Sequence, residues 1–187
     1  MPGAGHMVHM PSHIYWRVGR YTDAVTVNAA AVQADQAYFK TAQPSPIYRG
    51  LYYPHNIDFI WQSASMQGRS ADTIRVAREF AATAPAEMIA QMPDMETAPV
   101  APIVALVRFG RWDEADAVTQ AGLDFDEDVS GWIYLQATRA LFLAARGERD
   151  LAQEALTAAG RLTTRASTVS AQSSHAAAPR PTCVRSK

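Results

Sequence analysis

Four short segments with a common pattern constrain the fold more than any other feature of the sequence. They begin at Gly19, Gly68, Gly110 and Gly147. Each glycine separates two apolar stretches with helical periodicity, and in two segments an aromatic residue follows two positions later. Glycine tolerates the left-handed backbone that ends one helix and allows the next to begin at once. The recurrence therefore predicts helical hairpins that stack on one another.

The pattern predicts an all-α protein, namely a right-handed α-solenoid of about four helical hairpins. The predicted helix pairs are Pro11–Val18 with Asp23–Tyr38, Pro54–Gln67 with Ala71–Ala82, Ala98–Phe109 with Asp113–Ala121, and Gly131–Arg146 with Asp150–Leu162. Inserts at 41–53, 85–102 and 122–130 connect them. Residues 1–162 are expected to form the repeat domain. Residues 163–187 contain no acidic and no aromatic side chain, which predicts a disordered tail.

Composition excludes several classes of function. The formal net charge of −1 gives no reason to expect nucleic-acid binding. No apolar run reaches 18 residues, so no membrane span is expected. No signal peptide is recognisable, and a cytoplasmic location is the default expectation. The single cysteine, Cys183, excludes an internal disulfide framework and a cysteine-rich zinc site.

The turn segments resemble those of tetratricopeptide repeats (TPR). The Gly-x-Tyr-x-x-Ala core of that repeat is matched at Gly19, Tyr21 and Ala24, and nearly matched in the segment that begins at Gly110. The glycine spacings of 49, 42 and 37 residues exceed the usual repeat of roughly 34 because of the inserts. The resemblance implies a concave groove that binds a peptide or protein partner.

A narrower resemblance is to a group of bacterial TPR proteins with a His-x-x-His-Met-Pro-x-His-Ile-Tyr stretch, found here at 6–15. The group also has a Tyr-x-Pro-His-Asn-x-His-Phe stretch, which corresponds to 52–59 with Asp58 in place of the second histidine. Members of the group are longer, which implies that this chain is a fragment with a cut N-terminal edge. The resemblance supplies architecture and candidate residues, and no activity.

Four of the five histidines form the one cluster with metal-binding potential, namely His6, His9, His13 and His55. On a helix, positions 6, 9 and 13 fall within about 60° of one another. Imidazoles spaced in this way can converge on a zinc, copper or iron ion. His55 begins the first helix of the next hairpin and could face the same groove.

Two alternatives to this hypothesis remain open at the level of sequence. Pro11 could place His6 and His9 in a bend before the helix. The histidines could also be ordinary packing and hydrogen-bonding residues. If the ion were copper(I), Met7 and Met10 would add sulfur ligands.

A second group of candidates suits partner binding, which is the main functional hypothesis; metal binding is the alternative. Tyr15, Tyr48, Tyr52, Tyr53 and Asn56 are the predicted groove residues. Nothing indicates a catalytic centre, because no phosphate-binding loop and no activated nucleophile are present. An enzymatic role is therefore less expected than binding.

The N-terminal edge is expected to expose apolar side chains that a lost unit once covered. Met7, Met10 and Ile14 are the residues concerned. An exposed apolar patch of this kind favours self-association.

Overall fold

A computed structural model describes residues 5–85, 88–89, 93–120 and 130–161. All regular structure in these ranges is helical, which confirms the all-α prediction. The α-helices are α1 (Gly5–His9), α2 (Pro11–Arg17), α3 (Tyr21–Thr41), α4 (Tyr53–Met66), α5 (Ser70–Ala81), α6 (Ala101–Arg108), α7 (Trp112–Gln120), α8 (Ser130–Ala145) and α9 (149–161). A π-helical turn, Tyr48–Tyr52, precedes α4, and a 3-10 helix, Pro93–Val100, precedes α6. The predicted tail at 163–187 lies outside the described residues.

The four predicted glycine turns are confirmed by backbone geometry. Gly19, Gly68, Gly110 and Gly147 all have a positive φ, between 68° and 84°. The residue after each glycine donates its N–H to the carbonyl five residues earlier, at 2.8–3.1 Å. These bonds satisfy carbonyls at the helix end and set the direction of the next helix.

The predicted helix pairs are present, with ends that shift by at most three residues. Residues 98–100 belong to the 3-10 helix instead of the predicted α-helix. Pro99 and Pro102 explain the difference, because proline lacks the N–H that an α-helix interior requires.

The start of the chain is helical on both sides of Pro11. Met10 keeps a right-handed helical backbone, and its N–H donates to the His6 carbonyl at 3.2 Å. Pro11 occupies the first position of α2, where its missing N–H leaves no broken bond. The structure therefore places His6 and His9 on α1, not in an irregular bend.

Helices pack mainly against their neighbours in the chain. α3 lies against α4, α4 against α5, and both α1 and α2 lie on α3. Further along, α6 contacts α5, α7 and α8. Two interiors result: a polar one among α1, α2, α3 and α4, and an apolar one around α5, α6 and α8. Among the described residues no helix is both long and apolar enough to cross a bilayer, in agreement with the expectation from sequence.

Candidate metal centre

Three histidines converge where α1 and α2 meet α4. One nitrogen from each of His9, His13 and His55 lies within 4.8 Å of the other two. The Nε2 atoms of His9 and His13 are 2.9 Å apart. Two imidazole nitrogens on one tetrahedral ion, each about 2.05 Å from it, are about 3.3 Å apart. The three nitrogens lie near this spacing, and the rings would have to adjust for one ion to contact all three.

The hydrogen bonds of His9 determine which of its nitrogens is free. Asn28, on α3, donates its amide N–H to the Ala24 carbonyl at 2.7 Å, so its Oδ1 is directed at His9. His9 Nδ1–H then donates to Asn28 Oδ1 at 2.6 Å, with Ser12 Oγ close by at 3.2 Å. The proton therefore stays on Nδ1, and the lone pair of Nε2 faces His13. Metal-binding histidines usually carry a support of this kind on the opposite nitrogen.

One aromatic side chain, Phe59, packs against all three histidines. The ring of Phe59 lies 4.7–5.0 Å from those of His9, His13 and His55, measured between centroids. Its position one turn after His55 on α4 brings it under the cluster. Phe59 thus excludes water from one side of the site.

His6 belongs to the cluster of rings but not to the group of three converging nitrogens. Its ring stacks on that of His9 with centroids 5.2 Å apart and an angle of 18°, and lies 4.5 Å from the Tyr52 ring. Its Nδ1 is buried and has no hydrogen-bond partner among the described residues. The structure therefore places the predicted His6 beside the candidate ion position.

Burial keeps His6, His9 and His55 neutral. It is the main cause that lowers the pKa of His6 and His9 below 6.5, and the same cause, with the charge of neighbouring imidazoles, lowers the pKa of His55 to about 4. At neutral pH these rings are therefore uncharged. With its proton on Nδ1, His9 accepts a hydrogen bond at Nε2 from His13 Nε2–H at 2.9 Å, and a bound ion would replace this bond. A neutral imidazole is the form that ligates a metal ion.

A buried carboxylate lies next to this cluster. Asp35, on α3, is fully buried and accepts a hydrogen bond from Tyr48 Oη at 2.6 Å and from Asn56 Nδ2 at 2.8 Å. A backbone hydrogen bond from Gly5 also reaches it. Burial raises the pKa of Asp35, whereas these donors and the charge of His6 act in the opposite direction.

The five predicted groove residues lie in different surroundings. Tyr48, Tyr52 and Asn56 surround Asp35 and His6. Tyr53 Oη accepts a hydrogen bond from Gln36 at 3.3 Å and lines a different groove. Tyr15 contacts the Arg20 guanidinium, 4.6 Å from its ring centroid, on α2.

The two methionines near the histidines are exposed. Met7 is 71% exposed and Met10 is 43% exposed, on the outer face of the N-terminal segment. Their role as sulfur ligands of a copper(I) ion stays a prediction from the sequence. With Ile14, which is 68% exposed, the methionines form the predicted apolar patch.

Asp58 has partners of its own. It accepts hydrogen bonds from Trp61 Nε1 at 2.8 Å and from Gln62 Nε2 at 2.7 Å. It does not belong to the group of converging ligand atoms, although it replaces a histidine of the group of proteins that the sequence resembles.

Sequence reasoning missed Asn28, Asp35 and Phe59 as parts of the site. A signal for two of them exists in α3. Its buried residues are Ala24, Asn28, Ala31 and Asp35, spaced four, three and four apart. Two polar side chains on an otherwise small inward stripe indicate specific partners across the interface.

Comparisons with protein-family models, with curated proteins and with solved structures found no match for this chain. The functional interpretation therefore depends on the geometry described above.

Proposed function

We propose that this protein is a TPR-type helical-repeat protein that binds one zinc ion through His9, His13 and His55. The observation that carries the proposal is the convergence of three ligand nitrogens within 4.8 Å. Asn28 supports His9 on its opposite nitrogen, and burial lowers the pKa of His9 and His55. Imidazole ligands suit zinc, copper and iron. Zinc is the first choice because it has no preference for geometry arising from d-electrons and because imidazole is one of its common ligands.

The TPR-type solenoid is supported by two features. The glycine turns recur four times with the same backbone geometry, and the helices pack chiefly on their chain neighbours. Both are expected of stacked helical hairpins.

The proposed ion would connect separate parts of the fold. His9 and His13 come from α1 and α2, whereas His55 comes from α4. An ion bound by all three would cross-link the N-terminal helices to the next hairpin, and its binding energy would add to the stability of the folded state. Three protein ligands leave a fourth position for water or another ligand.

Metal content of purified protein tests the proposal. We expect about one zinc per chain after zinc loading and removal of excess ion, and loss of that zinc in His13→Ala and in His55→Ala. His175→Ala, which changes the histidine far from the cluster in sequence, is the control and should keep the ion. Sub-stoichiometric zinc that neither cluster variant alters would refute the site.

A second candidate function is the binding of a peptide or protein partner. A groove of about 560 Å³ lies among α3, α4 and α5. Phe39, Tyr53, Ile57 and Ile60 line it together with Arg49. Its size is within the range of ligand sites, and its mixture of aromatic and apolar side chains suits a partner side chain.

Probing a peptide array with wild-type protein and with Tyr53→Ala tests this second function. Tyr38→Ala removes a tyrosine of α3 that is not among the residues lining the groove and serves as the control. Peptides bound by the wild type and the control but not by Tyr53→Ala would support it. Equal binding by all three proteins, or none above background, would contradict it.

A further inference from the structure

We infer that Asp35 is a positioning residue of the zinc site, and this inference rests on the function proposed above. Its buried carboxylate would hold the two segments that carry the ligands and compensate the charge of the ion. No ligand atom of Asp35 needs to touch the metal for either effect.

The contacts of Asp35 reach both ligand-bearing segments. On one side it accepts the Gly5 N–H, one helical turn before His9, and a Cβ on Gly5 would overlap the carboxylate. On the other side it accepts a hydrogen bond from Asn56, the residue that follows His55. One side chain of α3 therefore fixes the start of α1 relative to the start of α4.

The charge of Asp35 would also compensate the charge of the ion. Three neutral imidazoles leave both positive charges of a zinc ion uncompensated, and burying a charge without a counter-charge is costly. Asp35 is fully buried, and its charge raises the pKa of His6 against the larger effect of burial, so its field reaches the cluster. Asp58, a half-buried carboxylate near the site in sequence, is held by Trp61 and Gln62.

Asp35→Asn removes the charge while the hydrogen bonds can be kept. In the wild type, Asn56 Oδ1 is buried without a hydrogen-bond partner among the described residues. Rotation of the Asn56 amide would turn this oxygen toward the side-chain N–H of the introduced asparagine. Asn56 would then accept a hydrogen bond at the point where it donates one in the wild type. The variant should therefore fold, and its effect on zinc can be measured.

The experiment combines zinc titration with titration of Tyr48 by ultraviolet absorbance. We expect Asp35→Asn to weaken zinc binding about tenfold or more, as loss of a supporting group near a metal usually does. In metal-free protein the pKa of Tyr48, raised to about 12 by burial and by its hydrogen bond to Asp35, should fall. A lower pKa of Tyr48 would confirm that the substitution removes the carboxylate to which the Tyr48 hydroxyl donates its hydrogen bond.

Asp58→Asn is the matched control, and we expect zinc affinity within about twofold of wild type. Wild-type zinc affinity in a folded Asp35→Asn protein would overturn the inference and leave the proposed site intact. If Asp35→Asn does not fold, Tyr48→Phe replaces it; the loss of one donor should weaken zinc binding about fivefold, and unchanged affinity would overturn the inference. Absence of zinc binding by the wild type would refute the site itself.

Discussion

The two interiors of this protein differ in the side chains that they bury. Around α5, α6 and α8 the core consists of large apolar residues such as Phe80, Ile103, Leu106 and Phe142. Among α1, α2, α3 and α4 the fully buried side chains include His9, Ser12, Asn28, Asp35 and Asn56, and the apolar ones are mostly alanines. The apolar interior is stabilised by removal of its surface from water. The polar interior depends on specific partners.

The difference suggests that the stability of the two regions depends on different solution conditions. Apolar burial needs no ligand and does not depend on proton concentration. A buried polar group is costly unless each donor and acceptor is used, and here His6 Nδ1 and Asn56 Oδ1 have no partner among the described residues. An ion bound by the neighbouring imidazoles would stabilise the N-terminal interior, where few large apolar side chains are buried.

The largest effect is expected from a substitution in the apolar core, which should lower stability without changing zinc affinity. Leu106→Ala should lower the free energy of unfolding by about 3 kcal/mol, because it leaves a cavity in a fully buried position. Zinc affinity of the folded variant should stay within about twofold of wild type.

Urea denaturation measures the free energy of unfolding, and zinc calorimetry on the same samples measures the zinc affinity. Leu156→Ala, which truncates a leucine that is 54% exposed, is the control and should change stability little. A Leu106→Ala protein that folds but no longer binds zinc would show that the two regions are not separable.

Acid should act on the polar interior alone. The pKa of His55 is about 4 in the folded protein and near 6.5 when the ring is free, so the unfolded state binds more protons between these values. The contribution of His55 to the stability of the metal-free protein is therefore lost as pH falls from 6.5 to about 4. Allowing for the half-exposed ring, we expect a loss on the order of 2 kcal/mol.

Thermal unfolding of metal-free protein at pH 7 and pH 4.5 measures this loss. In His55→Phe the difference between the two pH values should shrink, because the group with the largest shift is gone. The same pH dependence in the variant and the wild type would show that protonation of His55 does not cause the loss of stability.

The support behind His9 should affect zinc affinity more than stability. Asn28→Ala removes the acceptor of the 2.6 Å hydrogen bond and frees the His9 proton to move to Nε2, the ligand atom. We expect zinc affinity to fall about tenfold. Gln33→Ala, an exposed position on the same helix, should leave it unchanged.

Competition of each protein with a chromophoric zinc chelator measures the affinities. Equal affinity in Asn28→Ala and Gln33→Ala would mean that His9 does not bind the ion through Nε2.

The smallest effect concerns the turns, which the two regions share. Arg20 pairs with Asp23 and Arg69 pairs with Asp72, each at 2.7 Å and exposed to solvent. Asp23→Ala and Asp72→Ala should each cost less than about 0.5 kcal/mol. Chemical denaturation at low and high salt checks this, and a cost above 1 kcal/mol in either variant would contradict it.

The sequence predicted the helices better than the site because the two depend on different information. Glycine turns and apolar periodicity are local, so the helices around Gly19 and Gly68 were predicted to within three residues. His9, His13 and His55 were predicted as candidates because histidine is rare and their spacing suits a helix.

The supporting residues could not be predicted in the same way. Asn28 and Asp35 are common polar residues of a long helix, and only the packing of α1 and α4 on α3 gives them partners. Tyr48 was predicted as a groove residue, because nothing in its local sequence indicates that its hydroxyl meets Asp35 across the fold.

Hydrogen exchange with and without zinc tests the central claim most directly. If the ion stabilises the polar interior, zinc should slow exchange in α1, α2 and the first turns of α4, leave α6 and α8 unchanged, and have no effect in His55→Ala. Zinc that changes exchange nowhere, or equally throughout the chain, would contradict the claim that His9, His13 and His55 form a metal site.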